Sequence, residues 1–196
     1  MRRLAEPDLE AMAHETLVDW VSYADAVAIV EVTGEEAIPL TAAEERHHEP
    51  FQQRTVTVEI DEVLYQGLGP AAVPERSTFT TSGWTTKGHD PVGTTGAARF
   101  EVGERFLVPL VEWAGEGWRP ISTQESLRFA DGHAEVEGRG ATEAAEALDG
   151  LTRAEVRKLL SETDPEPVAA AHPELSSIGR QNAVAEARYG KEKKTS

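Results

Sequence analysis

Phe100 to Trp113, FEVGERFLVPLVEW, is the stretch on which the fold turns. Val102-Gly103-Glu104 reads as a turn that launches a strand from Arg105 to Glu112, with Phe106, Val108 and Leu110 on one side and Leu107, Pro109 and Val111 on the other. Proline cannot donate to a ladder, so Pro109 predicts an edge or bulged position with one side incompletely paired. Ala114-Gly115-Glu116-Gly117 then turns the chain into Trp118-Arg119-Pro120-Ile121, completing an antiparallel hairpin.

Upstream, RTVTVEIDEVLY from Arg54 to Tyr65 alternates, with Val56, Val58 and Ile60 facing one way and Thr55, Thr57, Glu59 and Asp61 the other. The phase slips at Glu62-Val63, which predicts a β-bulge. Ala26 to Val32 is apolar on both faces until Glu31, the pattern of a buried strand, and Gly34 reads as its end. Ser77 to Trp84 is a third strand of β-branched and aromatic type, and residues 85–99, with no periodicity, read as a loop. Downstream, Leu127 to Phe129 and His133 to Val136 form a short hairpin about Asp131-Gly132.

Helix signals lie at the two ends. Leu9, Met12, Leu17 and Trp20 recur at helical spacing, predicting a helix from Asp8 to Tyr23. Thr41-Ala42-Ala43-Glu44 and Thr152-Arg153-Ala154-Glu155 are capping boxes, the first opening a short helix over 42–48 and the second a helix from Arg153 to Glu162. The resulting division is an N-terminal helix over 1–24, a β unit over 25–137, helices over 138–162, and a mostly loose tail over 163–196 with a possible helix at 178–189.

This order, with YADAVAIVEV, RTVTVEIDEVLYQG and FEVGERFLVPLVEWAGEGWRPIS as its carriers, resembles the OB-fold barrel of netrin-like domains, the group that includes the tissue inhibitors of metalloproteinases. The resemblance implies a mainly β fold: a small, closed, antiparallel barrel with an N-terminal helix and C-terminal helices. The inhibitors act through an N-terminal cysteine, and this chain has none, so their activity is not implied.

Composition narrows the function. The formal net charge is -16, and residues 163–196 balance five acids with five bases, so the excess, 30 acids against 14 bases, lies in residues 1–162. A field of that sign repels phosphate backbones and opposes nucleic-acid binding. Nothing approaches the run of about 18 apolar residues that a membrane-spanning helix needs. After Arg2 and Arg3, the chain reaches Glu6, Pro7 and Asp8 where the apolar region of a signal peptide would stand, so it reads as cytoplasmic, or as exported if a leader is missing. Without cysteine there is no disulfide, thiolate zinc site or Cys nucleophile.

Four sets of residues bear on chemistry. Glu44, His47 and His48 share the short helix and offer carboxylate and imidazole to a divalent metal, although a site needs three or four convergent ligands. His89 and Asp90 form one acid–base dyad in a loop, and Glu59 with Asp61 reads as an exposed strand face. Trp84, Trp113 and Trp118, with Arg119 and Phe51, fall at strand ends where a barrel would present loops, and Trp beside Arg is the composition of protein-binding hot spots. No cofactor motif is present. The expectation is therefore an acidic, non-enzymatic, protein-binding module. A metal-dependent site built on the loop histidines is the alternative, and single-stranded nucleic-acid binding by the barrel face is a weaker one.

Overall fold

The computed structural model describes residues 12–92, 99–113, 117–136 and 141–192. Its elements are α1 (Leu17–Tyr23), β1 (Ala26–Ala37), α2 (Ala42–Arg46), β2 (Phe51–Gln66), β3 (Arg76–Thr85), β4 (Arg105–Trp113), β5 (Gly117–Pro120), β6 (Leu127–Ala130), β7 (His133–Glu135), α3 (Glu143–Leu148), α4 (Arg153–Glu162), α5 (Pro167–Ala170) and α6 (Ser177–Glu192).

The strands form one seven-stranded antiparallel sheet in the order β3-β2-β1-β4-β6-β7, with β5 paired to β4 off that path. This overturns the expected barrel. The fold is mixed α/β, with 28% helix and 37% strand, and the sheet is open, not closed into an OB-fold. The physical reason lies at β3 and β5. Ser77 Oγ donates to the Trp118 carbonyl at 2.5 Å, but no ladder joins the two strands among the described residues, while β6 and β7 prolong the sheet on the other side of β4. The sequence patterns behind the netrin-like resemblance describe strands and turns, and closure is a separate, tertiary event.

β1 and β4 are apolar on both sides because two clusters pack on them. Val27, Ile29, Leu107 and Val111 join Trp20, Leu148, Val156 and Leu160 of the helices. Ala28, Val30, Val32, Phe106, Val108 and Leu110 face Val56, Val58, Phe79, Phe100 and Trp118. Burying a large apolar side chain contributes about 1.5–3 kcal/mol, so these two strands carry much of the hydrophobic stabilisation.

β4 is central, not an edge. Arg105 to Leu110 pair with β1, while the opposite side pairs with β6 at Phe106 and Leu107 and with β5 from Leu110 to Trp113. Pro109 stands where β4 changes partner, and its carbonyl accepts from Ile121 N–H at 2.9 Å, so the missing donor costs one ladder bond on that side.

β1 also differs from expectation. It runs past Gly34 to Ala37, with a register shift between Val32 and Gly34 that lets the strand continue out of phase. The slip expected in β2 is present as two further shifts, opposite Val27/Ala28 and Ile29/Val30. Asp131 (φ 49°) and Gly132 (φ 85°) supply the positive-φ pair that the β6–β7 turn requires.

Helix α1 begins at Leu17, later than the periodicity suggested, because Thr16 and Asp19 form a capping box; residues 1–11 lie outside the described residues. In the tail, the helix expected at 178–189 is present as α6, and the short α5 precedes it. The fully buried Arg180 of α6 donates to the Ser22 carbonyl at 2.9 Å and to Asp25 Oδ1 at 2.9 Å, docking this helix on the start of β1. Among the described residues no helix is long and apolar enough to cross a membrane.

Candidate interaction site

The β1–β2–β3 ribbon outruns β4, and its far end gathers several of the singled-out residues. Phe51 opens β2 opposite Thr85, and Gln52 lies opposite Trp84. Phe51 is 52% exposed, high for a large apolar side chain. Thr86 N–H donates to the Pro50 carbonyl at 3.0 Å, and Thr86 Oγ1 to the Glu49 carbonyl at 2.8 Å, so the α2 connection and the β3 turn make one surface.

Trp84 is half-buried and held on several sides. The His89 ring stacks on it with centroids 4.8 Å apart and planes 10° from parallel. The Arg54 and Arg99 guanidinium carbons lie 5.9 and 5.7 Å from its ring, within cation–π range. The described part of the expected loop is an ordered turn. Asp90 N–H donates to Thr85 Oγ1 at 3.0 Å, and Val92 N–H donates to the Gly83 carbonyl at 2.9 Å. His89 takes φ 53° to complete it.

The two arginines are committed to this platform. Arg54 is fully buried, donates through Nε to the Ser82 carbonyl at 3.0 Å, and pairs with Glu35. Arg99 donates to the Gly83 and Val92 carbonyls, each at 2.8 Å, and pairs with Glu101. Neither was singled out by sequence. The signal for Arg54 was there, because it occupies the inward phase of the Arg54-Val56-Val58 alternation.

The acids around this end stand apart. Glu36 and Glu45 are exposed, and Glu49 is half-buried. No group of three or more His, Asp or Glu side chains suited to a metal occurs among the described residues. Glu44 Oε2 instead accepts from Thr41 N–H at 2.6 Å in the α2 cap, His47 is the C-cap of that helix, and His48 leaves it with φ 54°. His89 and Asp90 likewise hold the β3 turn: the imidazole lies on Trp84, and the carboxylate is 3.5 Å from Thr85 Oγ1.

The other tryptophans are placed differently. Trp118 is 6% exposed and belongs to the core with Phe79 and Phe100, so it offers no surface. Trp113 is half-buried beneath the Arg119 guanidinium, whose carbon is 3.8 Å from the ring centroid. The turn between them, 114–116, lies outside the described residues.

Two further polar features were not legible. A cavity of about 250 Å³ is lined by Asp25, Gly69, Glu112, Glu174, Leu175 and Ser176, beside the Asp25–Arg180 pair. At the sheet's helical face, the fully buried Glu125 accepts from Thr142 Oγ1 at 2.5 Å and lies 3.2 Å from His14 Nδ1. That hydrogen bond to Glu125 raises the His14 pKa above its usual value against the opposing effect of burial, helped by the charges of Glu125, Glu15 and Asp19.

Comparison adds no family to this geometry: no protein-family model, curated protein or solved structure matches the chain.

Proposed function

We propose that the chain is a non-enzymatic interaction module that binds a basic protein surface at the far end of the β1–β2–β3 ribbon. The observation that carries this reading is an exposed Phe51 at the end of the ribbon where Trp84, one register position away on the neighbouring strand, is braced. An aromatic held in place before binding loses little freedom on association, which is how anchor residues gain affinity. Phe51 supplies apolar area that the fold itself leaves uncovered.

The partner's sign follows from charge. Arg54 and Arg99 are paired with Glu35 and Glu101, while Glu36 and Glu45 present carboxylates to solvent. With a chain net charge of -16, such a surface accelerates encounter with cations and repels nucleic acid.

The test is affinity capture from the native host with wild type, Phe51→Asp and, as a control on α1, Val18→Asp. The reading expects a protein retained by wild type and Val18→Asp and lost with Phe51→Asp, with all three equally folded by circular dichroism. Equal retention by all three variants removes it.

A further inference from the structure

We infer that the partner is received as an extended, Lys- or Arg-bearing strand added in line with β4 along the open edge of β1, from Thr33 to Ala37. This rests on the module reading above and names the form of its partner.

β1 and β4 part company early. Their ladder covers Ala26 to Glu31, followed by Val32 N–H to the Glu104 carbonyl at 3.0 Å and Gly103 N–H to the Val32 carbonyl at 2.8 Å. The chain then turns away at Gly103 (φ 88°) and dives to the buried Phe100. β1 continues, paired with β2 from Gly34↔Thr57 to Ala37↔Arg54, and among the described residues no strand takes its other side. Val102, 53% exposed, stands at the corner where β4 leaves this edge.

The margin at β7 is occupied. Gly150 N–H donates to the Ala134 carbonyl of β7 at 2.8 Å, and Ala134 N–H to the Leu151 carbonyl at 2.9 Å. At the β3 margin Ser77 Oγ donates to the Trp118 carbonyl and Trp84 bridges to Pro91, and among the described residues no ladder covers the stretch between. An open strand edge is a template for pairing, and its side chains decide what pairs.

Here the side chains select a cation. Glu36 is exposed on the strand, and two copies of the chain pairing at this edge would bring Glu35 and Glu36 against their counterparts. A basic segment meets attraction instead. Its inward side chains would prolong the cluster of Val56, Phe79 and Phe100, and Val102 would cover its end.

The probe is a fluorescent heptapeptide alternating Lys and Val, tested on the full chain beside the same peptide N-methylated at every internal amide. The inference expects saturable binding of the first peptide with slowed amide exchange at residues 33–37, and no binding of the second. Glu36→Lys should weaken binding roughly three- to tenfold by placing like charges opposite one another. Val18→Asp, on α1, should bind the peptide as wild type does. Absence of binding, equal binding of the methylated peptide, or protection confined to other segments overturns strand addition. The Phe51-dependent capture above is read separately and stands or falls on its own.

Discussion

Arg180 and Asp25 form an ion pair at 2.9 Å with side chains 0% and 5% exposed, linking the C-terminal helix to the first strand across most of the chain. The pair is well furnished. Asp25 Oδ2 accepts from Ser177 Oγ at 2.8 Å and from Glu112 N–H at 2.9 Å, and Arg180 also reaches the carbonyls of Ser22, Tyr23 and Leu175. Removing one partner leaves a buried charge without its counter-charge, which costs about 3–5 kcal/mol. Arg180→Ala should therefore lower the unfolding free energy by that order in urea titration. Truncation before Ser177 should do the same, and an unchanged midpoint would show that α6 is not held by this pair.

His14 should make stability depend on pH. Its pKa is raised in the fold, so its contribution is complete below the unfolded value of 6.5 and disappears as pH rises through the folded value. Denaturant unfolding followed from about pH 5.5 to about pH 9 should show a stability loss on the alkaline side that His14→Gln abolishes. The same loss in the variant would assign the pH dependence to another group.

Gly83 should not tolerate a side chain. A Cβ there would lie 2.5 Å from the Gln52 carbonyl oxygen, across the β2–β3 pair. Gly83→Ala should cost about 1–3 kcal/mol as the strands are forced apart. Trp84, the next residue, should report it as a shift in fluorescence emission.

Thr152 caps α4 from both sides of its capping box, receiving from Glu155 N–H while Glu155 Oε2 accepts from Thr152 N–H at 2.9 Å. Thr152→Ala should destabilise by about 1 kcal/mol, measurable as a lower midpoint of thermal unfolding. Thr41→Ala makes the same change in α2, which has no buried residue. Its effect should appear as faster amide exchange in that helix with the global transition unmoved.

What could be read in advance was local. Arg54 to Tyr65 alternates because one face is buried, and Thr152 with Glu155 marks a helix start by hydrogen bonds three residues apart. Phe51 and Trp84 could be nominated as surface aromatics, since both fall at strand ends. Sheet closure was not legible, because nothing in the alternation of β3 or β5 says whether their edges meet. The burial of Trp118 depends on Phe79 and Phe100 packing nearby, and Arg180 looked like one more tail cation until its partner 155 positions earlier came into view. Of the two arginines behind Trp84, Arg54 stood at an inward position of a legible alternation, whereas Arg99 lay in an aperiodic segment and carried no such signal.

The two partners of β1 also set an order of assembly. β2 follows it after a short connection, whereas Leu110, the partner of Ala26, stands some 80 residues away, so the two pairings differ greatly in the chain that must be closed. The β1–β2 hairpin can form on its own local contacts, while β4 must wait for a long segment to be gathered. This order predicts that the slow step of folding is the arrival of β4 on a hairpin already in place. Substitutions in the hairpin, as at Thr55, should then slow folding and leave unfolding little changed, and those at Leu107 should divide between the two rates.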